Sequence, residues 1–194
     1  MSKAADTRMM ILQKSFELIY RKGYQSTSID EIIATTQVTK GAFFYHFKTK
    51  DDMGLSLINE VLYPGMYNVM IKPLEEGKDP VKAIYKVMEN LLNDFVFFNP
   101  DYGCPAINLI EEMSPMNPVF KKALAKLVKQ WQNAIVAALN KGQADHIFTS
   151  TFAPEEVAMV VISGYGGVRN IGKALGKSSY KTYLRGLKTY LINL

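Results

Sequence analysis

Residues 27–52 read TSIDEIIATTQVTKGAFFYHFKTKDD, and the fold turns on this stretch. Ser28 with Glu31 three residues on is a capping box, in which each side chain satisfies a backbone N–H at a helix start. Behind it, Ile29, Ile32 and Ile33 recur at helical spacing and give one apolar face. Thr35, Thr36 and Val38 are poor helix formers, so this helix is expected to be short. Thr39 is placed to cap a second helix. Gly41 and Ala42 near its start have almost no side chain, so a partner can approach that backbone closely. Phe43 and Phe47 lie one turn apart and read as its buried side. Thr49 with Asp52 is a third capping signal. Two short helices joined by a turn of about four residues, the second one slim and flanked by Lys, fit a helix-turn-helix, which lays its second helix in the DNA major groove. Lys40, Lys48, Lys50, His46 and the Tyr45 hydroxyl would supply phosphate donors around it.

These residues resemble the DNA-binding domain of tetracycline-repressor-like (TetR family) regulators. The family pattern runs Thr-x-x-x-Ile-Ala, then Ala-Gly-Val-Ser-x-Gly-x-Leu-Tyr-x-His-Phe, then x-Ser-Lys-x-x-Leu. Thr27, Ile32 or Ile33, Ala34, Val38, Thr39, Gly41, Phe43, His46, Phe47 and Lys50 take those places, and Gly23-Tyr24 upstream also matches. The resemblance is close over residues 8–55 and architectural beyond. There are three departures. Gln37 stands where Gly is usual, in a turn that can require positive φ. Phe44 replaces a Tyr and so lacks a hydroxyl for phosphate, and Met53 replaces Leu. The resemblance implies a head over residues 1–53 and a ligand-binding and dimerisation body over 54–194. In that reading Lys40, Gly41, Ala42, Phe44 and Tyr45 face bases or backbone, while Thr27, Thr39, His46, Lys48 and Lys50 hold phosphates.

Charge placement agrees with such a head. Residues 1–50 hold eight Lys or Arg against four Asp or Glu, whereas residues 51–194 hold 15 against 14. Nearly all of the net charge of +5 therefore falls in the first quarter, as a nucleic-acid-binding module on a neutral body requires. The chain has 194 residues, 48% hydrophobic, which is enough for a sizeable core. Its single cysteine, Cys104, excludes an intramolecular disulfide and suits a reducing compartment. The first residues lack the apolar core of a signal peptide, and the longest uncharged run, 157–168, is short for a membrane span and broken by glycines. A cytoplasmic protein is expected.

Outward from the motif, the pattern is all-α with about nine helices: a three-helix head and a larger helical body. Residues 1–6 read as a polar, mobile arm, and residues 7–22 as an amphipathic helix stopped by Gly23. The helix after Thr49 meets Pro64-Gly65, where a kink or break is expected. Further helices are read at residues 80–98, 105–113, 118–141 (stopped by Gly142), 154–174 and 179–192. Val160, Val161, Gly164, Gly167 and Val168, with Leu184, Leu187 and Leu191, line faces that are either close packing within one chain or, as the family implies, a four-helix interface in a homodimer.

Phe95, Phe98, Tyr102, Met113, Trp131 and Tyr165 are either plain core or the lining of an adaptable pocket. The family reading makes them a site for a small hydrophobic or aromatic ligand, and Glu111 or Glu112 nearby would favour a cation. Enzyme chemistry finds little support. His146 beside Asp145 reads as a surface pair, Cys104 has no base nearby in sequence, and there is no phosphate loop, HExxH or CxxC pattern. No cofactor and no metal are expected. Two functions from different classes remain: a ligand-responsive DNA-binding regulator, or an all-α ligand-binding or scaffold dimer that no longer reads DNA.

Overall fold

The computed structural model describes residues 3–94 and 98–194, and among these the chain is all-helical. Nine helices follow in order: α1 (Lys3–Lys22), α2 (Ile29–Thr36), α3 (Lys40–His46), α4 (residues 50–76), α5 (Pro80–Asn93), α6 (Pro105–Met113), α7 (Pro118–Ala144), α8 (Pro154–Leu175) and α9 (Ser178–Ile192). None is long and apolar enough to cross a membrane.

The helices pack as two compact units that interleave along the chain. One takes Met1–Gly65 with Asn108–Ala125, and the other takes Met66–Ile107 with Lys126–Leu194. In the first, Ile11, Leu12, Ile32, Phe43, Phe47, Met53 and Phe120 are fully or almost fully buried. In the second, Ile84, Met88, Leu92, Ile135, Leu139, Val161 and Tyr165 form the core.

Four details differ from expectation. The arm is helical from Lys3, because Ala4 and Ala5 are strong helix formers and Asp6 sits in the positive first turn. Helicity persists past Pro64, as two widened π-helical stretches, Ile58–Leu62 and Tyr67–Ile71, absorb the disturbance. Each ends just before the residue preceding a proline. Tyr63 N–H donates to Ile58 O ahead of Pro64, and Lys72 N–H to Tyr67 O ahead of Pro73. A proline ring crowds the carbonyl one turn back, and a wider turn relieves it.

Helix α5 ends at Asn93, where Asn and Asp side chains compete for backbone hydrogen bonds. Gly142 does not stop α7. A Cβ there would lie 2.5 Å from the Phe148 ring and 2.6 Å from Pro80, so glycine serves close approach. The helix ends instead with His146 at φ 54°, Ile147 N–H donating to Gly142 O and His146 N–H to Gln143 O. These bonds make a Schellman motif.

Close approach is also tested at Gly54, where an added Cβ would fall 2.6 Å from Tyr24 and 2.8 Å from Phe120. Overpacking costs about 1–3 kcal/mol and outweighs the helix preference of alanine. Gly54→Ala should therefore lower the denaturation midpoint without changing the slope of unfolding in urea.

Candidate nucleic-acid interface

The head is built from caps. Ser28 Oγ accepts from Glu31 N–H at 3.2 Å, and the Glu31 carboxylate accepts from Ser28 N–H at 2.9 Å, completing the capping box. Glu31 also pairs with Lys22. Helix α2 closes on Gln37, whose φ of 57° is left-handed and whose N–H donates to Ile33 O at 2.9 Å. The turn does demand positive φ, and this chain meets the demand with a strained non-glycine residue. Thr39 Oγ1 then accepts from Ala42 N–H at 3.1 Å and starts α3. Thr49 accepts from Asp52 N–H at 3.0 Å, while Asp52 accepts from Lys48 N–H at 2.9 Å.

Helix α3 is anchored on one side and open on the other. Phe43 and Phe47 are fully buried with ring centroids 5.7 Å apart, and Phe44 meets Phe43 edge-on at 5.4 Å. Lys40, Gly41 and Tyr45 (73% exposed) face solvent, with Ala42, Phe44 and His46 half-buried between. A Cβ on Gly41 would meet only the Thr39 hydroxyl, at 4.0 Å, so nothing in the described chain covers this face. Lys40 reaches Asp30 at 3.3 Å, an exposed pair worth about 0–1 kcal/mol and easily exchanged for another anion.

The sequence reading missed Arg8. Its guanidinium donates to His46 O at 3.1 Å, to Ser56 Oγ at 2.9 Å and to Glu60, and lies 4.4 Å from the Phe47 ring centroid. It thereby satisfies a carbonyl at the end of α3 and places a cation where the helix dipole favours one. These partners lie 38 to 52 residues away, so no local pattern marks them.

Two expectations are corrected. Thr27 is fully buried; its hydroxyl donates to Gly23 O at 2.7 Å and its N–H to Tyr24 O at 3.2 Å. It braces the turn and has no donor left for phosphate. Glu112 does not serve a ligand: its carboxylate accepts from Tyr24 N–H at 2.8 Å and Gln25 N–H at 2.6 Å, beside Gly23 at φ 89°. Asp51 joins them, accepting from the Tyr24 hydroxyl at 2.7 Å and Asn117 Nδ2 at 3.2 Å. Burial and the Asp51 carboxylate both push the Tyr24 phenol upward. Lys50 is half-committed. Its ammonium reaches Gln25 O at 3.4 Å and lies 4.5 Å from the Tyr24 ring centroid, and desolvation draws its pKa down against the pull of Asp51 and Glu112.

The other candidates lie elsewhere. Val161, Val168, Leu184, Leu187 and Leu191 are buried within the chain, and the Tyr183 ring occupies the space over Gly164 at 2.8 Å. Small residues there serve packing between α8 and α9, which leaves Val160 and Gly167 from that set on the surface. Among the pocket residues, Trp131 and Tyr165 touch edge-on at 5.4 Å, Phe98 is buried and Tyr102 half-buried, all in the second unit. Met113 is buried in the first unit, and Phe95 lies outside the described residues. A cavity of about 420 Å³, lined by Ile71, Leu74, Gln130, Ala134, Ala137 and Lys141 among others, includes none of these six.

Two measurements check the head. Gln37→Gly should relieve the left-handed strain and raise stability by about 1 kcal/mol, or about 2–4 °C in Tm. The Glu31 carboxyl is held down at about 2 from an ordinary 4.5, first by Lys22 and then by Ser28. Its contribution is fully present above pH 4.5 and lost as pH falls towards 2. Glu31→Gln should therefore flatten that part of the acid limb in urea midpoints measured against pH.

Comparison with known proteins places this geometry. Residues 11–57 match the model of the bacterial regulatory proteins, tetR family, and residues 77–186 match the tetracyclin repressor-like C-terminal domain. An HTH-type transcriptional regulator in the lacX 3' region of Lactococcus lactis subsp. lactis is 30% identical over 135 residues, covering 70% of this chain and 69% of the relative. The HTH-type transcriptional repressor NemR of Escherichia coli K12 is 24% identical over 160 residues, covering 80% and 78%. The crystal structure of a TetR-family regulator from Cytophaga hutchinsonii superposes with a TM-score of 0.87 at 18% identity, covering 100% of this chain and 97% of that one. With both family models matched in order along the chain, this protein belongs to the TetR family of helix-turn-helix, DNA-binding transcriptional regulators.

Proposed function

We propose that the protein is a homodimeric repressor that reads a double-stranded DNA operator with residues 1–53 and releases it when residues 54–194 bind a small molecule. One observation carries the DNA half of this reading: α3 is locked from behind by Phe43 and Phe47 while Gly41 and its neighbours stay uncovered. A helix so presented enters a major groove without first shedding a protein partner. Lys40, Gly41, Ala42, Phe44 and Tyr45 are assigned to bases and nearby backbone. Thr39, His46, Lys48 and Lys50 are assigned to phosphates, with Lys48 the freer of the two lysines. NemR, a relative named a repressor, supports the sign of the output.

Dimerisation is assigned to α8. Val160 and Ile171 are each 51% exposed and Leu175 is 67% exposed, and with Gly167 they fall at helical spacing on one face. Exposed apolar stripes of this kind mark association surfaces. Pairing two heads multiplies the discrimination that a single short helix can supply. The ligand half of the reading rests on the C-terminal family match and on the aromatic core of the second unit.

A gel shift with the DNA flanking the protein's own gene, at two salt concentrations, tests the reading. Absence of a sequence-dependent shift would favour a scaffold or ligand-binding dimer instead. Lys40→Ala should change which sequences bind, because it faces base edges. Lys48→Ala should weaken all sequences alike and lower the salt slope by about one unit. The protein should sediment near twice 21.8 kDa, and Ile171→Asp should shift it to the monomer.

A further inference from the structure

The cavity of about 420 Å³ lies wholly within the second unit, lined by the end of α4, the loop after it and the second half of α7. Its floor is apolar. Ile71 and Leu74 contribute buried side chains from α4, and Ala134, Ala137 and Ala138 line it from α7. Alanine is the strongest helix former and the smallest side chain after glycine, so α7 stays helical here while the trench stays open. Ile71 also ends the second π-helical stretch of α4, and π turns inside α-helices are frequent at functional sites.

The mouth is charged, and its charges do not balance. Every carboxylate along residues 75–79 is engaged. Glu75 accepts from the Tyr67 hydroxyl at 2.8 Å, and Glu76 pairs with Lys72 at 3.8 Å. Asp79 accepts from Lys82 N–H and pairs with the Lys82 ammonium, each at 3.0 Å. Lys78 and Lys141 also line the cavity, and neither has an ion-pair partner among the described residues. The lining thus sets two ammonium groups against the single, hydroxyl-bound carboxylate of Glu75. The two lysines belong to one end. A Cβ on Gly142, next to Lys141, would fall 2.6 Å from the Pro80 ring, so the end of α7 meets the loop that carries Lys78. That loop is braced, since a Cβ on Gly77 would lie 2.6 Å from Ala83 Cβ. Gln130 marks the other end, about 16 Å back along α7 from Lys141.

We infer that this cavity binds an amphipathic anion: an apolar chain lying along Ile71, Leu74 and the three alanines, ending in a carboxylate at Lys78 and Lys141. This rests on the reading above that the body takes a small molecule, and it names the place and the chemical class. The chain supplies affinity by covering apolar surface. The carboxylate supplies discrimination, because a neutral head gains nothing from the lysines and a cationic head is repelled by them.

Octanoate and decanoate are titrated into the full-length protein alongside octanamide and octylammonium, with calorimetry and Tm as readouts. The expected result is saturable binding of at least one acid with a rise in Tm, and binding at least about fivefold weaker for the amide and the amine. Ala137→Trp should abolish acid binding by filling the trench. Position 137 is exposed, so this variant should fold. Lys78→Gln combined with Lys141→Gln, both exposed, should lower acid binding to the level of octanamide and leave octanamide itself unchanged.

No binding of either acid, binding of the amide or the amine as tight as the acids, or acid binding that survives Ala137→Trp overturns the proposal. Acid binding undiminished in the double lysine variant overturns it as well. Operator release by some other compound, equal in wild type and Ala137→Trp, with no acid bound, overturns this site and leaves the ligand-responsive reading standing. Acid binding that is lost in Ala137→Trp, with the operator complex intact at saturation, supports the site and counts against that reading.

Discussion

A seven-residue helix has too few hydrogen bonds to hold its own shape, so α3 depends on what lies behind it. Two fully buried phenylalanines hold it from behind, Thr39 caps its start, and Arg8 reaches its last carbonyl. The arrangement separates two tasks on one short element. The inward side is large and aromatic and fixes position. The outward side is small and basic and stays empty of protein. Neither task is possible if the other is moved by one residue, since adjacent positions on a helix differ in direction by about 100°.

Around this helix, the head is a chain of satisfied backbone groups. Ser28, Thr39 and Thr49 open its helices, and Glu112 covers the two N–H groups of the Tyr24–Gln25 turn from a segment far along the sequence. Asp51 extends this to Tyr24 and Asn117. The result explains why residues 108–125 pack with the N-terminal helices. Carboxylates accept more than one bond, and here two of them tie three segments together.

The fold was largely legible because its signals are local. The capping box, the three threonine and serine caps, and the i, i+4 phenylalanine pair all lie within a few residues of one another, and each stands where the sequence placed it. The positive φ at Gln37 followed from a turn that conventionally takes glycine. What escaped reading was mostly long-range, with Thr27 the exception, since Gly23 lies only four residues away. Thr27 looks like an exposed polar residue until Gly23 offers its carbonyl. Glu112 looks like a surface acid until the Tyr24 turn arrives beside it. Arg8 gives no sign of its four contacts. The small residues of α8 carried two meanings in the sequence, and Tyr183 over Gly164 decides for internal packing there. Likewise Gly142 resembles a stop signal, and only the approach of Phe148 and Pro80 reveals its use.

The two π-helical stretches of α4 have a bearing on length. A π turn accommodates about one more residue than an α turn, so each stretch stores a spare residue within its own run of helical backbone. Loss of one residue from 58–62 or 67–71 can be absorbed by reverting to ordinary α geometry, with the flanking side chains keeping their bearings. The same loss from α5, which has no such slack, would swing Ile84, Met88 and Leu92 off the core. Insertions and deletions in homologous chains are thus expected to be tolerated ahead of the two prolines and excluded from the regular helix that follows.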